Sequence, residues 1–174
     1  DVINFNAFDI DIASKEIEAG AIDFYNFSLK TPAAEKLASN NDITIYKAPA
    51  STLSIVLNPA PALEGDLNPL SIKGVRQALQ IVVNRSFIAQ ELYKGFAVPM
   101  LTHVSHADFD YLTLFRLLKE SHISHDPELA KDMVSKEMTS AGATLENGFW
   151  HFNDKRIDLK FIVRTEDERW DIGN

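Results

Sequence analysis

The sequence predicts an α/β fold in which a mixed sheet is flanked by helices. Three observations indicate this class: amphipathic helical repeats, short segments of alternating apolar and polar residues, and turn signals that separate the two. The chain has 174 residues, of which 45% are hydrophobic and 24% charged, and this composition excludes a disordered protein. We therefore expect residues 1–174 to form a single domain.

Helices are predicted where a cap precedes apolar residues at helical spacing. Asp11 is expected to cap the first helix and Gly20 to end it, and Thr31 followed by Pro32 starts the second. Asp126 followed by Pro127 starts the longest one. The predicted segments are 11–20, a helix from 31, 72–84, 86–95, 108–120 and 126–142.

Strands are predicted where apolar and polar residues alternate over a few positions. The segments are 3–7, 21–24, 43–45, 53–57, 149–152 and 157–163. Asn147-Gly148 and Asn153-Asp154 predict tight turns before and after the strand at 149–152. Residues 58–69 contain three prolines and a glycine and are predicted to be a loop.

Charge and motifs exclude several function classes. The net charge of −8 provides no global basic surface for nucleic acid, and the absence of cysteine excludes disulfides, thiolate zinc sites and a cysteine nucleophile. The sequence has no Gly-x-Ser-x-Gly, His-Glu-x-x-His, Walker or Gly-x-Gly-x-x-Gly motif. We therefore predict no catalytic residue, no metal site and no cofactor, and no activity as an enzyme.

Two alternative functions remain open. Residues 71–95 have the length of a helix-turn-helix DNA-binding motif and a local charge of +3, from four basic residues and one acidic residue. Its second helix offers Gln90 as a side chain that reads base edges. A metal-dependent enzyme is the other alternative, because two His-x-x-His pairs have a spacing that suits metal ligands. These pairs are His103 with His106 and His122 with His125.

Several segments together resemble one known family. Residues 75–88, with the sequence VRQALQIVVNRSFI, resemble the "vRqAl-xx-aidR-xx-i" segment of the extracytoplasmic solute-binding proteins of ABC transporters, the oligopeptide/dipeptide-binding family. The sequence IEAGAID at 17–23 is similar to the "al-x-sGeiD" unit of that family, and Asn58-Pro59 matches its "N-P". DPELAK at 126–131 and GFW at 148–150 resemble two further motifs in the same order. Asn84 replaces the expected aspartate, and residues 101–125 match no motif of the family.

The resemblance implies a lobe of a type II periplasmic-binding-protein fold, belonging to a larger protein with two lobes around a ligand. Such a protein captures a peptide or other small solute outside the cell and delivers it to an ABC permease in the membrane. The implied partners are that solute, the permease and the other lobe, and nucleic acid is not among them. The implied location is extracytoplasmic, with membrane association through the full-length protein. A capping box at 165–168 also indicates a helix that begins near the end of the chain.

The residues Tyr25 and Asn26 are predicted to line the ligand cleft. Ligands of α/β proteins bind beyond the carboxyl ends of strands, and these two residues follow the predicted strand 21–24. The resemblance places the main ligand contacts beyond Asn174, so no specificity residue is assigned within the chain. Arg76 is predicted to anchor a neighbouring loop or carboxylate.

Overall fold

The computed structural model describes residues 3–48, 51–165 and 168–173. It contains two compact units. The first unit comprises Asp1–Ser51, Ser86–Val98 and Val163–Asn174, and the second comprises Thr52–Arg85 and Pro99–Ile162. In chain order the helices are α1 (Ile10–Glu18), α2 (Thr31–Ala38), α3 (Lys73–Val82), α4 (Arg85–Phe87), α5 (Tyr111–Glu120), α6 (Pro127–Ser140) and α7 (Arg169–Gly173). A 3-10 turn at Pro69–Ser71 precedes α3, and a π-helix at Ile88–Leu92 continues α4.

Helix α1 begins at a different residue from the predicted one. Asp9, in extended conformation, is the N-cap, and its side chain accepts a 2.8 Å hydrogen bond from the Asp11 backbone N–H. The prediction that Asp11 caps this helix is therefore wrong. The Asp11 carboxylate instead lies 2.6 Å from the Lys30 ammonium, and this hydrogen bond raises the pKa of Lys30. Gly20 follows the helix with φ of +67°, as expected of a helix-ending glycine.

Helix α2 is capped by a residue that is distant in sequence. Thr31, predicted to be the cap, is the first residue of the helix, and Lys30 at the N-cap makes no side-chain cap. The Thr31 backbone N–H donates to Glu168 Oε1 at 2.7 Å, so this carboxylate takes the place of a local cap. The capping box predicted at 165–168 includes residues 166 and 167, which lie outside the described residues.

The core of the second unit lies where α3 packs against α6. Val75, Met138 and Ala143 are buried there, and Leu67, Ile72, Val134, Trp150 and Ile157 pack around them. Asp126 caps α6 as predicted, since its side chain accepts from the Leu129 N–H at 2.9 Å. The Asp126 N–H also donates to the Ile81 carbonyl at 2.9 Å, which fixes the start of α6 beside the end of α3.

The second unit also contains a three-stranded antiparallel sheet in the order β1-β2-β3. The strands are β1 (Thr144–Glu146), β2 (Phe149–Phe152) and β3 (Lys155–Arg156). Asn147 and Gly148 have φ of 51° and 85°, and Asn153 and Asp154 have φ of 50° and 59°. Both predicted turns are thus confirmed, as is the strand between them. Helices combined with this sheet agree with the predicted α/β class.

Most of the other predicted strands do not form a ladder within the described residues. Segments 3–7, 21–24, 43–45 and 53–57 have no strand assigned, and of 157–163 only Ile157 donates to the sheet, at the Trp150 carbonyl. A strand needs a hydrogen-bonded neighbour, which alternation along the chain does not supply. Several of their apolar side chains are exposed, as at Phe5, Val56 and Ile162.

Candidate functional site

The candidate site is an open cavity of about 320 Å³ in the second unit. Its volume lies at the lower end of the range of about 300–1,000 Å³ that is usual for small-molecule sites. One wall is the loop before α3 and the other is the extended segment after β3. The lining residues are Asn58, Leu67, Asn68, Pro69, Leu70, Asp158, Leu159 and Lys160.

The Asn68 side chain fixes the wall formed by the loop before α3, through both the nitrogen and the oxygen of its amide group. Asn68 Nδ2 donates to the Asn58 carbonyl at 2.9 Å and to the Ala60 carbonyl at 2.8 Å. Asn68 Oδ1 accepts from the Leu70 N–H at 3.0 Å and so caps the 3-10 turn. All three polar positions of one amide group are therefore used to hold two stretches of backbone together.

Arg76 supports the same wall from helix α3. Its guanidinium donates from one nitrogen to the Leu70 carbonyl at 2.8 Å and to the Ser71 carbonyl at 2.9 Å. The prediction that Arg76 anchors a neighbouring loop is confirmed. The two carbonyls belong to the end of the 3-10 turn, so the helix and the wall of the cavity are joined directly.

The loop is also fastened to the hairpin of β2 and β3. Lys155 Nζ lies 2.8 Å from Asp66 Oδ1, and Asn153 Nδ2 donates to the Gly65 carbonyl at 3.0 Å. A second cavity of about 300 Å³ lies here and shares Leu67 and Asp158 with the first. The loop predicted at 58–69 is thus held at several points against the rest of the second unit.

The cavity offers hydrogen-bond donors to a ligand. Asn58 Oδ1 accepts from the Ala60 N–H at 3.1 Å, and within the described chain its Nδ2 has no hydrogen-bond partner. Lys160 has no ion-pair partner in the same described ranges. The two charged residues of the lining, Asp158 and Lys160, have opposite charges, and Asp158 is also paired with Arg156 at 2.6 Å. This arrangement suits a neutral or zwitterionic solute that carries carbonyl oxygens.

The predicted cleft residues Tyr25 and Asn26 lie in the first unit, in the segment between α1 and α2. The Tyr25 side chain is half-buried and Asn26 is exposed. Neither residue lines the two cavities of the second unit. Their role in ligand contact stays a prediction.

The histidines of the metal alternative are all exposed. His103 and His106 lie in the segment before α5, and His122 and His125 lie between α5 and α6. In the described ranges no group of three or more histidine, cysteine or acidic side chains has the geometry of a metal site. Nothing in their placement favours a metal-dependent enzyme.

The helix-turn-helix alternative rests on α3 and α4. Helix α4 has only three residues before it becomes a π-helix, in which Ala89 is buried and Gln90 is exposed. Two of the basic residues donate to backbone carbonyls of their own chain: Arg76 to the 3-10 turn and Arg85 to Gln80 at 2.6 Å. Burial also lowers the pKa of Arg85. These features do not favour a surface that reads DNA.

Sequence reasoning missed Asn68, which the structure places in the lining of the cavity. The signal was Asn68 followed by Pro69 ahead of a helical segment, a typical cap followed by a first-turn proline.

No helix of the described residues has the length and apolar character to cross a membrane.

Comparison with known families gives a match over nearly the whole chain. The family model described as "Bacterial extracellular solute-binding proteins, family 5 Middle" matches residues 1–170. No curated protein matches the chain.

Proposed function

Because the chain belongs to the family 5 bacterial extracellular solute-binding proteins, we propose that it forms one lobe of a protein that captures peptides for import. Membership itself gives a solute-binding role in import, with a small solute and an ABC permease as partners, and an extracytoplasmic location. Members of this family are generally not enzymes. The proposal goes further in three respects. The ligand is a peptide, it is bound within a larger two-lobe protein, and it is not chemically changed.

The observation that carries the proposal is the family match over residues 1–170. Within that span, segments that resemble motifs of the oligopeptide/dipeptide-binding proteins lie in the same order, at 17–23, 58–59, 75–88, 126–131 and 148–150. The cavity supports a peptide ligand, because a peptide backbone carries a carbonyl at every residue and Asn58 and Lys160 have donors to offer. We propose Tyr25 and Asn26 as further ligand contacts. The proposed full-length protein associates with the membrane, and the solute passes from it to the permease.

The proposed two-lobe binding mode has an energetic consequence. A micromolar ligand corresponds to about −8 kcal/mol of net binding free energy. In a closed cleft this value comes from contacts on both walls, whereas the cost of lost translation and rotation is about the same for one wall as for two. One lobe alone therefore binds peptides with a dissociation constant in the millimolar range or weaker.

Calorimetric titration of a mixed di- to hexapeptide pool tests the proposal, with residues 1–174 and the full-length protein measured side by side. We expect micromolar binding by the full-length protein and none detectable by calorimetry for the isolated chain. Tyr25→Ala and Asn26→Ala should weaken binding by the full-length protein, and Tyr46→Ala, which removes an 82% exposed ring, is the matched control. No binding by the full-length protein would overturn the peptide ligand. Micromolar binding by the isolated chain would overturn the two-lobe binding mode.

A further inference from the structure

The wall of the cavity depends on one amide side chain. Asn68 bridges Asn58 and Ala60 on one side and Leu70 on the other, with donor–acceptor distances between 2.8 and 3.0 Å. Residues 58–61 contain two prolines, so only two backbone N–H groups are available there to hold the segment. One of these, the Ala60 N–H, is taken up by the Asn58 side chain. Asn68 therefore holds the segment through its carbonyls, since its Nδ2 donates to those of Asn58 and Ala60.

We infer that Asn68 is a positioning residue for ligand binding: it fixes Asn58 so that the Asn58 side-chain N–H is available to a carbonyl oxygen of a ligand in the cavity. The inference rests on the proposed function and adds to it a contact residue, Asn58, and the ligand group it binds. The Asn58 Oδ1 atom is held by the Ala60 N–H at 3.1 Å, which orients the amide and leaves its Nδ2 as the free end.

The chemistry of the ligand group follows from the other lining residues. Asp158 is neutralised by Arg156, and the wall formed by Leu67, Pro69 and Leu70 is largely apolar. An amide carbonyl with a small apolar substituent fits these surroundings, because Asn58 and Lys160 offer N–H donors and the wall offers apolar contact. The repeating unit of a peptide made of small residues has this composition.

Two isosteric substitutions separate positioning from contact. Asn68→Asp keeps the oxygen that accepts from the Leu70 N–H but replaces the Nδ2 donor, so the Asn58 and Ala60 carbonyls lose their partner. Asn58→Asp keeps the oxygen that accepts from the Ala60 N–H but removes the donor offered to the ligand. Asn40→Asp adds the same charge in the first unit, where Asn40 Oδ1 accepts from the Asp42 N–H, and it serves as the control.

The probe is N-acetyl-trialanine methylamide, titrated into the 174-residue chain and followed by NMR, together with hydrogen exchange of the Ala60 amide. Loss of one hydrogen bond corresponds to about a three- to tenfold weaker dissociation constant. We expect that weakening for both Asn68→Asp and Asn58→Asp, and faster Ala60 exchange for Asn68→Asp alone. Asn40→Asp should change neither quantity. Asn68→Ser, whose hydroxyl can still cap the 3-10 turn, repeats the test if the aspartate variant does not fold.

Three results would overturn the inference. The first is faster Ala60 exchange in Asn68→Asp with unchanged probe binding, which would make the role of Asn68 purely structural. The second is unchanged probe binding in Asn58→Asp. The third is the absence of probe binding by the unmodified chain at tens of millimolar. None of these bears on peptide capture by the full-length protein, which the calorimetric titration decides separately.

Discussion

Helices α3 and α6 bury residues against each other, whereas α5 buries none of its own. The buried positions of the pair are Gly74, Val75, Ala78, Ala130 and Met138, most of them small. Helix α5 has larger apolar residues, yet Leu112, Phe115 and Leu117 are each more than half exposed. Helix α5, which has the larger apolar side chains, is therefore less buried than α3 and α6.

The difference shows that apolar periodicity predicts a helix but does not determine what covers it. Small side chains on α3 allow the close approach at which many atom pairs come into contact. Gly74 is the extreme case, because a Cβ at this position would overlap the Glu137 side chain of α6. Helix α5 has no such surface among its residues, and its aromatic pair, Tyr111 and Phe115, packs within the helix itself at 6.4 Å between ring centroids.

The largest expected effect is in the buried pair. Met138 is 1% exposed, so Met138→Ala should lower the free energy of unfolding by about 2–5 kcal/mol through lost contacts and a cavity. Leu117→Ala on α5, where the side chain is 63% exposed, should change it by less than about 0.5 kcal/mol. Urea unfolding measures both. Similar values for the two variants would remove the distinction between the helices.

The next effect concerns the arginines of the two helices. Arg76→Ala removes two charge-assisted hydrogen bonds to the 3-10 turn and should cost about 1.5–3 kcal/mol of stability. Arg116 on α5 forms an exposed pair with Glu120, and Arg116→Ala should cost about 0.2–1 kcal/mol. Urea unfolding again gives the comparison. A cost for Arg76→Ala no larger than that for Arg116→Ala would mean that the turn does not need its anchor.

Helix caps give a smaller contrast. Asp126→Ala removes the side-chain cap of α6 and should destabilise the protein by about 1 kcal/mol. Asp110 occupies the same position in α5 but makes no side-chain cap, so Asp110→Ala should have little effect. Thermal unfolding followed by circular dichroism tests the two variants. An effect of Asp110→Ala equal to that of Asp126→Ala would show that the Asp110 side chain does cap α5.

The smallest expected effect lies within α5. Glu120→Gln removes the charge that pairs with Arg116 at 2.8 Å and should cost about 0.3–0.5 kcal/mol at low salt. At about 1 M salt, where the screening length is about 3 Å, the difference from the unmodified chain should largely disappear. Thermal unfolding at both salt concentrations measures this. A cost that persists at high salt would indicate a contact other than the ion pair.

What could be predicted from the sequence is what depends on neighbouring residues. Asp126 and the Asn147-Gly148 turn were predictable because a cap and a tight turn are determined by a few adjacent residues. The strand predicted at 53–57 was not found, because pairing depends on residues elsewhere in the chain. The site divides in the same way. The anchoring role of Arg76 was predicted. The role of Asn68 was missed, because its hydrogen bonds reach a backbone carbonyl ten residues away.

The cap of α2 has a consequence for biosynthesis. The Thr31 N–H and Glu168 Oε1 are 137 positions apart in sequence. At translation rates of about 5–20 residues per second, Glu168 is synthesised about 7–27 s after Thr31. During that interval the Thr31 N–H of the nascent α2 can donate only to water, because the Glu168 carboxylate is not yet present at the N-terminus of the helix. The final form of this helix is therefore reached only when ribosomal synthesis has passed residue 168, however early the helix itself begins to form.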